Sequence, residues 1–150
     1  MGPEKPTTFQ KRVAAALGID ISHDTQEVAA ARVHTFVGPA IHSKVAQYMA
    51  SERQIAFAQS LGLDVTGDSS LVASAKIADE LYSRNKASLE KLQLQPGDRV
   101  RVRYQFESAG EMREWVQEAV VSSIQPNCRI MFKGGNGSGA WPTQVEKIAE

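Results

Sequence analysis

The chain has 150 residues, 42% hydrophobic and 23% charged, which suits a globular protein with one core or two small cores joined tightly. Lys plus Arg number 17 and Asp plus Glu number 17, so the formal net charge is zero and a polyanion partner has to be held by a local patch. Cys128 is the only cysteine, which excludes an intramolecular disulfide and a cysteine-rich metal site.

No apolar run approaches the roughly 18 residues of a membrane span, so no membrane partner is expected. With no apolar signal core at the N-terminus, a reducing, cytoplasmic location is the expectation.

Thr7-Thr8-Phe9-Gln10 opens the first predicted helix, with a hydroxyl three residues before a Gln. That spacing makes a reciprocal capping box, in which side chains satisfy the orphan amides of the first turn. The helix is expected to run through Ala16, and Gly18 to end it in a left-handed turn. A loop from Asp20 to His23 leads to Asp24, the expected N-cap of a second helix, with Glu27 closing a second box. Val28, Ala31, Val33, Phe36 and Val37 lie along that helix, and Gly38 is expected to stop it. Pro39 then starts a third helix with Ile41, Val45, Tyr48 and Met49 on one face.

The pattern then starts again. Ser51-Glu52-Arg53-Gln54 repeats the capping box, and Leu17–Val33 registers on Leu61–Ile77 without a gap at an offset of 44 positions. Seven of the 17 pairs are identical, where chance gives about one. In this second copy a helix runs through Ser60, Gly62 turns the chain, and Asp64 to Gly67 leads to Asp68. Leu71, Val72, Ala75, Ala78, Leu81 and Tyr82 then form a stripe at helical spacing. A shorter helix, Lys86 to Leu94, turns Leu89 and Leu92 inward. Each unit reads as helix, loop, helix, helix, and the two are expected to pack together because neither buries its apolar face alone.

Caps and loop geometry account for Asp20/Asp24 and Asp64/Asp68, since no Glu follows at calcium-loop spacing. His23, His34 and His42 show no metal-ligand spacing, and neither a metal nor another cofactor is expected. The stretch from Leu61-Gly62-Leu63 through Gly67 to Leu81 resembles the second half of the SAP-type DNA-binding helix–loop–helix. That resemblance covers about twenty residues per copy and implies a DNA contact from the helical part.

After Leu94 the period changes. Pro96-Gly97-Asp98 is a turn, and Val100, Val102, Tyr104 and Phe106 alternate with Arg99, Arg101 and Arg103. Further strands are expected near Trp115 to Ile124, Arg129 to Phe132 and Glu146 to Ile148. Cys128 falls in a strand or its approach, as a packing residue. The Gly134–Gly139 loop reads as a flexible hairpin loop, lacking the ending of a phosphate loop.

Gly97-Asp98-Arg99-Val100, Trp115 and Gly139-Ala140-Trp141-Pro142-Thr143-Gln144-Val145 together resemble the SH3-like family with its Tudor and KOW relatives. The resemblance covers most of residues 96–150 and implies a small antiparallel barrel. The expected fold class is therefore α+β, with helical repeats at 1–49 and 50–95 and an SH3-like barrel at 96–150.

No nucleophile–base pair, metal cluster or paired carboxylates in a pocket signature are visible, so a non-enzymatic role is expected. Arg99, Arg101 and Arg103 project from one strand face about 6.6 Å apart, a spacing that suits successive phosphates. Lys133 could add a further phosphate contact. Tyr104, Phe106, Trp115, Phe132 and Trp141 could form a stacking platform, but most read as core, with Trp141 the best candidate for exposure.

The first functional expectation is DNA or RNA binding through Arg99, Arg101, Arg103, Lys133 and Trp141, assisted by the helical repeats. The alternative is an adaptor whose repeats dock a protein partner, favoured by zero net charge and the Ala-rich helix faces.

Overall fold

The computed structural model describes residues 3–41, 48–134 and 136–149. The fold is α+β: helices α1 (Thr8–Leu17), α2 (Gln26–Ile41), α3 (Glu52–Ser60) and α4 (Ser70–Leu92) precede five antiparallel strands. The chain divides into two compact units, Met1–Leu81 and Tyr82–Glu150, with the division inside α4. Among the described residues no helix is long and apolar enough to cross a membrane.

In the first unit, both predicted capping boxes form. Thr7 and Ser51 cap α1 and α3, each taking the Gln10 or Gln54 amide on its hydroxyl while the Gln side chain accepts from the cap's own N–H. Gly18 and Gly62 both sit at positive φ, 69° and 78°, a region open to glycine at little cost. The chain then folds back so that the Ile19 amide reaches the Ala14 carbonyl and the Leu63 amide reaches the Ala58 carbonyl, both at 2.9 Å. Two small cores result: Ala14, Ile21 and Ala29 with Ile19 against them, and Ala58, Val65 and Ala73 with Leu63 and Ile77 against them.

The entries to α2 and α4 differ from the expectation by one residue. Thr25 and Ser69 are the caps, since their hydroxyls accept from the Val28 and Val72 amides and their carbonyls accept from the Ala29 and Ala73 amides. The third helical position is therefore Val28, so Glu27 has no capping box to close. Asp24 and Asp68 instead turn to the helix face. Both Asp24 oxygens meet the Arg32 guanidinium at 2.7 and 3.0 Å, and Asp68 meets Lys76 at 2.7 Å.

The expected stop at Gly38 is also absent: α2 continues through Gly38 and Pro39 to Ile41. A helical Gly costs only about 1 kcal/mol, and Pro39 removes one backbone bond, the one a residue there would donate to the Thr35 carbonyl. Val45 and His42 of the expected third helix lie outside the described residues. Met49 is not helical, because it bridges Ser69 in an extended pairing. From Ser70 on, the two expected helices are one, α4, since nothing from Tyr82 to Asn85 breaks it. It ends where Gln93 takes a left-handed φ of 47°.

Hydrogen bonds tie these halves together. Thr25 Oγ1 donates to Asp79 Oδ2, and the Ser69 and Thr35 hydroxyls meet at 2.8 Å. Thr35 spends its proton on the Ala31 carbonyl, so Ser69 is the donor to it. Residues 25 and 35 stand 44 positions before 69 and 79, so the contacts are reciprocal, as in a two-fold interface.

In the second unit, β1 (Arg99–Ser108) and β2 (Glu111–Ile124) pair along their whole shared length, from Arg99 opposite Val120 to Ser108 opposite Glu111. The remaining strands are short: β3 (Ile130–Phe132), β4 (Gly139–Ala140) and β5 (Val145–Lys147). The sheet order is β4-β3-β2-β1-β5, with β4 and β5 at the edges and a 3₁₀ turn at Pro142–Gln144 leading into β5.

One face is dry. Val100, Val102, Val121, Ile130, Phe132, Ala140 and Val145 form its core with Leu94, and Leu89 and Leu92 from the end of α4 pack on it. Cys128 is buried as expected but lies in the β2–β3 turn at φ 72°, its amide donating to the Gln125 carbonyl at 2.9 Å. Burial raises the Tyr82 phenol above its ordinary pKa, with nearby Cys128 adding to the shift.

Candidate functional site

Alternation along β1 puts Arg99, Arg101 and Arg103 on one face, as expected, but each meets a carboxylate. Arg99 bonds Glu118 at 2.8 Å and Arg103 bonds Glu114 at 3.2 Å, while Arg101 lies 4.0 Å from Glu118 and 3.8 Å from Glu146. The register explains this arrangement. Glu118 sits directly opposite Arg101 on β2 and Glu146 directly opposite it on β5, and facing residues of paired strands share a face. These ion pairs are exposed, so each contributes little to stability. They do, however, cancel most of the positive potential that an isolated arginine row would present.

Lys133 is exposed beside this face: its amide donates to the Val120 carbonyl at 2.9 Å, and Val120 stands opposite Arg99. Trp141 lies apart from this strand face, after β4, with the Arg129 guanidinium 5.8 Å from its ring centroid. The site read from sequence is thus gathered in part: three arginines on one face, Lys133 held by its backbone beside the strand that faces them, and Trp141 paired with a different cation.

The aromatic side chains overturn the sequence expectation more sharply. Of the five, Phe132 alone is buried, and Trp115 at 59% exposed and Phe106 at 46% both exceed Trp141 at 37%. The cause is strand length. β5 covers β1 only at Val100–Val102, and β3 covers β2 only at Val121–Ile124. From Arg103 to Val116 the hairpin runs on as a two-stranded ribbon with both outer edges unpaired by the described strands.

One face of the ribbon carries Tyr104, Phe106, Arg113 and Trp115. Tyr104 stands opposite Trp115 and Phe106 opposite Arg113, and the Tyr104 and Trp115 rings are 6.0 Å apart at 45°. Among the described residues Arg113 has no carboxylate partner, unlike the three arginines on the other face. The sequence reading missed Arg113 altogether. The signal for it was the two-residue Ala109-Gly110 turn between long runs. Both turn residues have positive φ, 54° and 80°, the geometry of the tight hairpin turns that suit twisted strands.

Among the described residues, no group of three or more His, Cys, Asp or Glu side chains is placed to hold a metal ion. The first unit has a separate cleft of about 720 Å³, lined by Lys5, Lys11, Ala14, Ile19, Asp20 and His23 among others. No family model matches the chain, and neither the curated proteins nor the solved structures compared with it include a match.

Proposed function

We propose that this is a non-enzymatic nucleic-acid-binding accessory protein that contacts single-stranded DNA or RNA with the aromatic face of the β1–β2 ribbon. The observation that carries this reading is the exposure of Phe106 and Trp115 beside Arg113, which has no carboxylate partner among the described residues, on a ribbon that overhangs the sheet. Bases stack on exposed aromatic rings at about 1–3 kcal/mol each, and a neighbouring guanidinium reaches a phosphate or a base face. The arginine face is the weaker surface, because a phosphate there has to displace Glu114, Glu118 and Glu146.

Two finer structural readings belong to the proposal. The strand order, with a 3₁₀ turn before the last strand, supports the SH3-like resemblance of residues 96–150. The recurrence of caps, turns and ion pairs at an offset of 44 supports an internal duplication.

The test is fluorescence anisotropy with labelled single-stranded and duplex DNA and RNA at about 50 and 200 mM salt. Trp115→Ala with Phe106→Ala is expected to weaken single-strand binding by about tenfold or more. Glu118→Gln, which releases Arg99 and leaves Arg101 only Glu146, is expected to leave it nearly unchanged. A marked gain from Glu118→Gln would move the contact back to the arginine face. No binding at low salt would end the nucleic-acid reading.

A second reading has its own observation. Met112, 70% exposed, and Val116 lie on the opposite face of the same ribbon, where base stacking has no use for them and a protein partner does. Association that tolerates salt would favour that adaptor role.

A further inference from the structure

The matching halves of the first unit provide an internal control for the cleft beside α1. Its floor is apolar, from Ala14, Ile19 and Ile21, and its rim carries Lys5, Lys11, His23, Asp20 and Asp24. The acidic groups are largely engaged. Asp24 gives both oxygens to Arg32, and Asp20 accepts from the Ser22 amide at 2.9 Å. Among the described residues Lys5 and Lys11 have no carboxylate partner.

Forty-four positions later the floor is the same in kind, Ala58, Leu63 and Val65, but the rim is not. Met49, Ile55 and Gly67 stand where Lys5, Lys11 and His23 stand in the first half. The loop geometry does not require the cations, because Thr66 donates to Asp64 at 2.9 Å just as Ser22 donates to Asp20. Two lysines and an imidazole thus border the cleft in the first half, where the second half has two apolar side chains and a glycine.

We propose that this cleft is a binding site for a phosphate monoester carried on a flat or apolar body, the chemistry of a nucleoside 5′-monophosphate, free or at the end of a strand. Lys5, Lys11 and His23 take the phosphate, and Ala14, Ile19 and Ile21 carry the body. A volume of about 720 Å³ falls within the roughly 300–1,000 Å³ of small-molecule sites. This assignment is independent of the ribbon, whose residues lie in the other unit.

The test is an amide NMR titration of the full chain with adenosine 5′-monophosphate, adenosine and a short 5′-phosphorylated oligonucleotide, at about 50 mM salt. The monophosphate is expected to shift the amides of residues 19–24 and to bind more tightly than adenosine. A variant carrying Lys5→Met, Lys11→Ile and His23→Gly is expected to lose about tenfold or more in affinity. Its fold is safeguarded because the second copy already carries those residues at the matching positions, and a thermal melt checks this directly.

Shifts at residues 19–24 with the oligonucleotide alone would assign the phosphate to a strand end. The site is overturned if none of the probes shifts these amides at about 10 mM, if adenosine binds as well as its monophosphate, or if the triple variant binds like the parent. Ribbon amides from Tyr104 to Trp115 report separately in the same spectra.

Discussion

Residues 7–33 and 51–77 carry one skeleton of hydrogen bonds on two sets of side chains. Gln10 reaches the Gln26 carbonyl and Gln54 the Ser70 carbonyl, both at 3.1 Å, and the Gln26 and Ser70 amides return to the carbonyls of Glu4 and Tyr48. The halves agree at many positions where a side chain is buried or serves the backbone, as at Ala14/Ala58, Ala29/Ala73 and the Asp20/Asp64 turn. They part where the exposed Lys11 stands in register with Ile55, which is half-buried against the Ala58, Val65 and Ala73 core, and where His23 stands in register with Gly67. Packing and backbone satisfaction fix the first group of positions, while at the second the two halves answer different demands.

If the skeletons are mechanically equal, equal insults should cost the same. Ala29 and Ala73 are both fully buried, each at the centre of a small core. Ala29→Leu and Ala73→Leu are each expected to destabilise by about 1–3 kcal/mol through overpacking. Urea unfolding followed by the helical circular dichroism signal measures both. A difference beyond about 0.5 kcal/mol between them would mean that the two halves are not interchangeable frames.

A smaller and deliberately unequal effect is expected at the capping glutamines. Gln10→Ala removes the box and one bond to α2, costing about 1 kcal/mol. Gln54 does more: its amide also donates to Ser74 Oγ at 2.9 Å, and its oxygen accepts from Ser70 at 3.2 Å. Gln54→Ala is therefore expected to cost more than Gln10→Ala by several tenths of a kcal/mol, read from the same unfolding curves.

Much of this was legible in the chain. Both capping boxes, the left-handed glycines and the core positions of β1 follow from spacing alone, because caps and alternation are local rules. The failures are non-local or competitive. Asp24 and Asp68 look like caps until Arg32 and Lys76, eight residues on, claim them and leave the cap to Thr25 and Ser69. Arg99, Arg101 and Arg103 look free until the register sets Glu118 and Glu146 across from Arg101. Phe106 and Trp115 look like core because alternation gives a face but not how far neighbouring strands reach to cover it. The cleft in the first half was visible only as the Lys5/Met49, Lys11/Ile55 and His23/Gly67 differences, which acquire meaning once the loop is seen to close identically without them.

The smallest expected effect concerns acid. Hydrogen bonds from the Ser22 side chain and amide hold the Asp20 carboxyl below the ordinary aspartate range, and those from the Thr66 amide and side chain do the same for Asp64. A pKa depressed in the folded chain means that the unfolded chain binds protons more readily. Each carboxylate therefore contributes stability that is fully present above the unfolded aspartate pKa and is lost as the pH falls through the folded one. Asp20→Asn and Asp64→Asn keep an oxygen to accept from Ser22 or Thr66 but remove the titration. Each is expected to flatten the acid limb of a stability–pH profile by a similar small amount, with the two effects adding in the double variant. His23 also favours the Asp20 carboxylate and Gly67 offers nothing comparable to Asp64, so a steeper acid limb from Asp20 would trace to the loop position where the two halves differ in charge.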